Sequence, residues 1–141
     1  MLEIIAVRNE HLDQVIEHLQ QISTFVPKFS DETNFRREYT EQSHVFPLVA
    51  IDENLVIGFG SLSTELKIRG GRIGHIEDIV VAPNKKNLGI GRIIVKELLK
   101  IAALKECYKV SLESRDHTTG FYTGLGFKKT GTTMQIYLPG E

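Results

Sequence analysis

The 141-residue sequence contains one cysteine, no tryptophan and no long apolar run, and each scarcity argues against a class of protein. The lone Cys107 cannot form an internal disulfide, and its place just before a strand-like run favours a packing role over a catalytic thiol. No Cys/His cluster has the spacing of metal ligands, so we expect no metal site. We also find no signal peptide and no membrane span in the sequence, which predicts a cytoplasmic protein.

Charge of either sign is not in excess. The formal net charge is −1 and charged residues make up 25% of the chain. This balance gives no reason to expect nucleic acid or an anionic membrane as a partner. A hydrophobic share of 41% is ordinary for a globular protein, and the length predicts one domain over residues 1–141.

The most informative stretch, residues 75–99, reads as a strand, a glycine-bearing turn and a helix. The β-branched run 79–81 favours a strand, which Pro83 ends. Gly89 and Gly91 let backbone approach a ligand where the N-terminus of a helix presents unpaired N–H groups. This geometry suits a phosphate or pyrophosphate, although a glycine turn that only starts a helix would show the same pattern.

Strands and helices are predicted along the rest of the chain. Alternation and β-branched content predict strands at 2–7, 48–51, 55–63, 75–81, 108–113 and 134–138. Helical spacing predicts helices from an N-cap at Asn9 to Pro27, at 31–41, after Gly91 and at 117–125. His11 and His18 fall on the polar side of the first helix, which predicts that both are solvated. The helix between strands 75–81 and 108–113 predicts that these strands are parallel neighbours.

Two motifs in order resemble those of the GNAT superfamily of acetyl-CoA-dependent N-acetyltransferases. The turn 86–91, Lys-Asn-Leu-Gly-Ile-Gly, resembles the Gln/Arg-x-x-Gly-x-Gly/Ala loop of that family, and 121–127 resembles its Phe-Tyr-x-x-x-Gly-Phe signature. Lys86 departs from the usual Gln or Arg, and Thr118 stands where Asn is usual. The resemblance implies an α/β (α+β) fold: a mixed central sheet of about six to seven strands, splayed at the middle and flanked by about four helices.

The GNAT resemblance also implies acetyl-CoA as co-substrate and roles for individual residues. Tyr122 would protonate the leaving thiolate, although Phe121 and Tyr122 could also be packing residues only. The backbone N–H of Ile79, in a strand bulge, would stabilise the oxyanion. The coenzyme-binding residues would be Ile79, Val80, Val81, Lys86, Asn87, Leu88, Gly89, Ile90, Gly91, Arg92, Thr118 and Tyr122.

Segments 74–81 and 107–113 resemble, more narrowly, the eukaryotic-type glucosamine 6-phosphate N-acetyltransferases. Those enzymes carry His-Ile/Val-Glu-Asp and Cys-Tyr-Lys on the matching strands. The resemblance implies a step toward UDP-N-acetylglucosamine and a homodimer whose partner lends its last strand to the site. Glu77 and Glu113 would lie near the amine as catalytic groups, and the substrate-binding residues would be Ser23, Lys67, Glu77, Asp78, Tyr108, Lys109 and Glu113.

Three questions stay open at this point. Adjacent Glu77 and Asp78 point to opposite faces of a strand unless a bulge intervenes. The basic connector 65–74 is predicted to be a flexible loop, with a substrate contact by Lys67 or Arg69 as the alternative. Tyr137 lies where the family often has a phosphate-binding Arg, which leaves that role to Lys67, Arg69 or Lys109.

Two other functions remain compatible with the sequence. A GNAT enzyme could act on a different amine, such as a free amino sugar, a polyamine or a protein N-terminus. The chain could also be a non-catalytic acyl-CoA-binding module that kept the fold and lost the chemistry.

Overall fold

The computed structural model describes residues 1–138 and contains a five-stranded sheet. The strands are β1 (Glu3–Ala6), β2 (Val45–Asp52), β3 (Leu55–Lys67), β4 (Gly71–Val81) and β5 (Cys107–Leu112). Their order in the sheet is their order in the chain; the first four are antiparallel, and β5 runs parallel to β4. The predicted parallel pairing across a helix is therefore confirmed.

Four α-helices accompany the sheet: α1 (Leu12–Leu19), α2 (Glu32–Thr40), α3 (Ile90–Leu104) and α4 (Asp116–Thr123). Short 3-10 turns, Asn9–His11 and Pro83–Lys85, precede α1 and α3. The mixed α/β fold with four helices is confirmed, with five strands within residues 1–138 rather than six to seven. None of the helices in this part of the chain has the length and apolarity that crossing a membrane requires.

Apolar side chains cover both faces of the sheet. Helix α3 buries Ile90, Ile94, Val95, Leu98 and Ala102 against one face. On the other face α1 contributes Leu12 and Val15 to a cluster with Val49, Val56, Phe59 and Val80. These helical residues recur at the three- and four-residue spacing that places side chains on one side of a helix. The central strands are thus held from both sides.

Strand β4 carries a bulge opposite Gly60 of β3. The flanking register pairs are Phe59 with Val80 and Ser61 with Glu77. Asp78 and Ile79 of β4 therefore face a single residue of β3, and Asp78 adopts the left-handed φ of 59°. An extra residue in one strand bends that strand and leaves part of its backbone outside the ladder.

Strands β4 and β5 separate just before the bulge. Their register pairs run from Arg72 with Cys107 to Ile76 with Leu112, where the pairing ends. Residues 77–81 of β4 continue without a partner on that side. The sheet is therefore splayed at its middle, as the family resemblance implied, and the separation opens a cleft.

The predicted last strand, 134–138, is not a strand in the structure. Met134, Ile136 and Leu138 are 91%, 85% and 72% exposed. Alternation assigns side chains to two faces, but a strand also needs a hydrogen-bonded neighbour, and this segment has none among residues 1–138.

The basic connector is shorter than predicted. Strand β3 continues to Lys67 and β4 begins at Gly71, with Lys67 and Gly71 in register, so only 68–70 form the turn. The predicted hairpin is present at the connector 67–72, but its turn is confined to 68–70 because backbone pairing continues to Lys67 and Gly71.

The first helix and its histidines also differ from prediction. Asn9 lies in the 3-10 turn rather than at an N-cap of α1, which ends at Leu19, well before Pro27. The ring of His11 accepts a hydrogen bond from the Arg8 N–H at 3.0 Å, and the ring of His18 lies 2.8 Å from the Val56 carbonyl. Both histidines have backbone partners, so the expectation that they are merely solvated was wrong.

Candidate active site

The bulge in β4 brings two adjacent carboxylates to one cleft. Glu77 and Asp78 both line it, which alternation along a regular strand would prevent. The left-handed backbone at Asp78 supplies the extra rotation. The open question about these two residues is answered in favour of the bulge.

Asp78 sits in a partly desolvated place. Desolvation and then the neighbouring Glu77 carboxylate raise the pKa of Asp78. Tyr39 of α2 lies close by, with its hydroxyl hydrogen-bonded to the Ser61 side chain. Burial and the Asp78 charge raise the pKa of Tyr39 to about 12. This phenol is therefore neutral at physiological pH and can donate a hydrogen bond beside the bulge.

The glycine turn forms the second wall of the cleft. Asn87 and Gly89 have φ of 65° and 82°, and Gly89 is the N-cap of the 15-residue helix α3. The first N–H groups of α3 have no partner within the helix and point toward this turn. Lys86 and Arg92 line the cleft on either side of the turn. Positive side chains, free N–H groups and the positive end of the helix dipole together suit an anion.

Helix α4 places Tyr122 at the cleft, with its phenol partly buried. Its ring makes edge-on contacts with Phe121 and Phe127, with centroids 5.0 and 5.8 Å apart. Burial raises the pKa of Tyr122, so its hydroxyl keeps its proton well above neutral pH. The contacts with Phe121 and Phe127 fix the ring and leave the hydroxyl as a neutral donor.

The cleft has a volume of about 1120 Å³, enough for an extended ligand together with a second molecule. Most predicted site residues line it: Glu77, Asp78, Ile79, Val80, Val81, Lys86, Asn87, Gly89, Ile90, Gly91, Arg92, Glu113, Thr118 and Tyr122. They come from β4, the turn before α3, the end of β5 and α4. The topology therefore joins segments separated by up to 45 positions in the chain.

A polar strip crosses β4 and β5 below the bulge. His75 and Ser111 are register partners, and the His75 Nδ1 lies 3.2 Å from the Ser111 Oγ. The His75 Nε2 lies 3.2 Å from the Glu77 Oε1. Lys109 is two residues before Ser111, so the period of two places both on the same face of β5, and Glu113 follows the last strand residue, Leu112. The strip thus carries acids at one end and a cation at the other.

Five predicted site residues do not line the cleft. Lys67 forms an ion pair with Glu65 at 3.1 Å near the hairpin tip, and Leu88 is 66% exposed in the glycine turn. The Tyr108 ring packs near Gly70, with the Lys109 ammonium 5.9 Å from its centroid. Ser23 follows α1 and is exposed.

Thr118 lines the cleft but its side chain is already engaged. Its hydroxyl accepts a hydrogen bond from the Arg115 N–H at 3.0 Å and donates to the Arg115 carbonyl at 3.0 Å. These bonds cap the first turn of α4. A threonine at this position thus stabilises the helix end, whatever else it contacts.

Several cleft residues were not predicted from the sequence. Lys85 and Arg115 add positive charge to its wall, His117 also lines it, and Gln21 donates to the Val81 carbonyl at 3.3 Å. For His75 the only indication in the sequence was its place in the segment 74–81, which resembles the His-Ile/Val-Glu-Asp motif. For Gln21 the helical pattern gave a polar face but no indication of what that face meets.

Comparisons with known proteins agree with this geometry. The acetyltransferase (GNAT) family model matches residues 12–127. Glucosamine 6-phosphate N-acetyltransferase 1 of Dictyostelium discoideum is 38% identical over 130 residues, which cover 87% of this chain and 82% of the relative. Glucosamine 6-phosphate N-acetyltransferase of Trypanosoma brucei brucei is 40% identical over 85 residues, covering 59% of this chain and 58%, less than two thirds, of the relative.

The fold has a similar counterpart among solved structures. Glucosamine-6-phosphate N-acetyltransferase from Arabidopsis thaliana superimposes with a TM-score of 0.85 and 25% identity. The superposition covers 97% of this chain and 98% of that chain. The shared fold therefore extends over nearly the whole of both proteins.

Proposed function

Since the chain belongs to the acetyltransferase (GNAT) family, we propose that it transfers the acetyl group of acetyl-CoA to the amine of glucosamine 6-phosphate. The observation that carries this proposal is the bulge at Asp78, which puts two carboxylates and an unpaired strand edge beside the glycine-capped N-terminus of α3. The names of relatives that are 38% and 40% identical support the choice of amine. The product would be N-acetylglucosamine 6-phosphate, a precursor of UDP-N-acetylglucosamine.

We propose that the coenzyme binds along the splayed edge of β4. Its pyrophosphate would lie on the N–H groups of the turn 86–91, helped by the cations Lys86 and Arg92 that line the cleft. Its pantetheine arm would pair with Val80 and Val81 as an added strand, because this edge of β4 has no partner beyond Ile76. The turn 86–91 suits the pyrophosphate of acetyl-CoA and the open edge of β4 suits its pantetheine arm, so acetyl-CoA is the proposed co-substrate.

The oxyanion donor would be the backbone N–H of Ile79. Asp78 and Ile79 stand opposite the single residue Gly60, so the ladder with β3 does not use both of their N–H groups. A fixed backbone donor stabilises charge that develops on the carbonyl oxygen without having to reorganise.

The amine would lie among the carboxylates of the cleft. Glu77, Asp78 and Glu113 all line it, and carboxylates both attract an ammonium ion and accept its proton through water. The free amine then attacks the thioester carbonyl, forming the C–N bond as the C–S bond breaks. Placement of two substrates is the main requirement, and no nucleophilic side chain is needed.

Tyr122 would donate the proton that the departing thiolate takes up. Its raised pKa keeps the hydroxyl protonated at neutral pH, which a proton donor needs. The ammonium form of the amine loses two protons toward the carboxylates and water, one before the attack and one as the amide forms. The sulfur gains one from Tyr122, so one proton is released overall once Tyr122 is protonated again. Solvent then restores the proton of Tyr122.

Lys109 would recognise the sugar phosphate. It lies on β5, four residues before Glu113, and four residues of extended chain span about 13 Å. An amine at Glu113 and a phosphate directed toward Lys109 would lie along the polar strip. Lys67 is a weaker candidate because it already pairs with Glu65.

A homodimer would complete the site. Strand β5 is the edge of the sheet, and residues 128–138 form no helix or strand while exposing apolar Met134, Ile136 and Leu138. We propose that this segment pairs with β5 of the partner subunit. The homodimer, the contribution of a partner strand and the cytoplasmic location remain predictions.

A polyamine is the second candidate substrate, because three carboxylates line the cleft and would also attract a multiply charged amine. Initial rates of thiol release with glucosamine 6-phosphate, spermidine and a peptide amine, each varied against acetyl-CoA, separate the two. We expect the highest kcat/KM for the sugar phosphate and intersecting double-reciprocal lines. A higher value for spermidine would reject the proposed amine, and parallel lines would indicate an acyl-enzyme instead of direct transfer.

A further inference from the structure

The imidazole of His75 is held on both sides. Its Nε2 lies 3.2 Å from the Glu77 Oε1, and its Nδ1 lies 3.2 Å from the Ser111 Oγ. His75 and Glu77 are two residues apart on one strand face, and Ser111 is the register partner of His75 on β5. The three side chains therefore form a continuous row of polar contacts that ends at a carboxylate of the cleft.

The contact with Glu77 constrains which ring nitrogen carries the proton. An ionised carboxylate only accepts hydrogen bonds, so a hydrogen bond between His75 and Glu77 requires the Nε2–H form. In the neutral ring the Nδ1 then accepts, and the Ser111 hydroxyl can donate to it. A serine hydroxyl can donate or accept, so Ser111 accommodates the tautomer that the contact with Glu77 requires and holds the Nδ1 side of the ring.

Glu77 needs such a partner because its side chain is 63% exposed and long. An unrestrained glutamate at this exposure would sample several rotamers, most of them directed away from the cleft. We infer that His75, oriented by Ser111, is a positioning residue that holds the Glu77 carboxylate toward the amine substrate. This inference rests on the proposed function, since it assigns Glu77 to the amine.

Two substitutions at His75 distinguish the loss of its contact with Glu77 from the mere change in the size of its side chain. In His75→Gln the side-chain amide reaches about as far as Nε2 and can still donate to Glu77. In His75→Asn the amide reaches only as far as Nδ1, so the contact with Ser111 can survive while that with Glu77 is lost. His44→Asn is the matched control, because His44 is exposed and does not line the cleft.

We expect His75→Asn to lower kcat/KM for the amine about tenfold, His75→Gln to stay within about twofold of wild type, and the KM for acetyl-CoA to be unchanged. The His75→Asn loss should disappear when Glu77→Gln is already present, because the histidine acts through that carboxylate. Equal losses in the two His75 variants, or an undiminished loss in the Glu77→Gln background, would overturn the inference.

Two measurements keep the inference testable if a variant unfolds or if the amine substrate is not glucosamine 6-phosphate. The cycle is run with the amine that the wild-type enzyme acetylates best, so a different substrate rejects the proposed function while the coupling is still measured. Magnetic resonance of the imidazole nitrogens needs no turnover. It should show the Nε2–H tautomer for His75 in the wild type and less of it in Glu77→Ala, whereas a predominant Nδ1–H tautomer in the wild type would refute the inference.

Discussion

A single methyl group added at Gly60 tests whether the β4 bulge positions the reacting groups. A Cβ there would lie 2.5 Å from the Ile79 Cδ1 and 2.7 Å from the Ile94 Cγ2. Carbon atoms in contact lie at least about 3.5 Å apart, so both contacts must lengthen by about 1 Å. Ile94 is fully buried and cannot retreat, so β3 must shift away from α3 and displace the neighbouring bulge of β4 that carries Ile79.

The expected loss follows from that displacement. A misplacement of about 1 Å at a reacting group costs on the order of 100-fold in rate. Because Ile79 can relieve part of the clash by side-chain rotation, we expect Gly60→Ala to lower kcat/KM for acetyl-CoA by about 10- to 100-fold. Overpacking should also lower the free energy of unfolding by about 1–3 kcal/mol.

Gly58→Ala is the matched control for Gly60→Ala. A Cβ at Gly58 would lie 2.8 Å from the Ile94 Cδ1 and 3.2 Å from the Ile90 Cγ2, so it crowds the same helix. Gly58 pairs with Val81 beyond the bulge. We expect a similar loss of stability in urea unfolding and a kcat/KM within about threefold of wild type. Equal losses of kcat/KM in the two variants would refute the reasoning.

Three further predictions concern single side chains. Tyr122→Phe should lower kcat about 100-fold with little change in KM, and it should abolish any alkaline limb above about pH 10; an unchanged kcat would remove Tyr122 from the chemistry. Lys109→Gln should raise the KM for glucosamine 6-phosphate about tenfold and leave that for glucosamine unchanged, whereas an equal effect on both sugars would reject a phosphate contact. Tyr39 has a pKa of about 12 when folded and about 10 when unfolded, so its contribution to stability is full below pH 10 and is lost by about pH 12. Measured by urea unfolding, the free energy of unfolding should fall by about 2 kcal/mol less between pH 10 and pH 12 in Tyr39→Phe than in the wild type. An equal fall in the two proteins would contradict the raised pKa of Tyr39.

The glycine turn could be predicted because its backbone requirement is visible in the residue types. Gly89 takes the left-handed conformation at the N-cap of α3, as a residue without a Cβ does easily. The apolar spacing of α3 likewise identified the face that meets the sheet. The residue types that set the local conformation and the burial were therefore sufficient to predict this wall of the cleft from the sequence.

The bulge at Asp78 could not be predicted from local pattern. Asp78 is not glycine, and nothing in its neighbours requires a φ of 59°. The family resemblance implied a bulge near this point, whereas its position depends on Gly60 of the adjacent strand and on the crowding of Ile79 and Ile94 there. Such tertiary causes are not visible in a periodicity.

The C-terminal segment marks a different limit. Met134, Ile136 and Leu138 alternate as in a strand, but residues 128–138 have no strand partner within the part of the chain that the structure describes. Lys109 likewise does not line the cleft that these residues form. The alternation of residues in a sequence predicts which side chains share a face of a strand, but it does not identify the neighbouring strand, which can belong to another copy of the chain.

The most direct test of the central claim compares glucosamine 6-phosphate with glucosamine in steady-state thiol release from acetyl-CoA. The two sugars differ only in the phosphate, so their ratio of kcat/KM isolates its recognition. Our account predicts a preference for the phosphorylated sugar of about 100-fold or more, as a charge-assisted contact supplies. Equal or reversed preference would contradict the assignment of the substrate, and no release with either sugar would contradict the acetyltransferase chemistry proposed for this cleft.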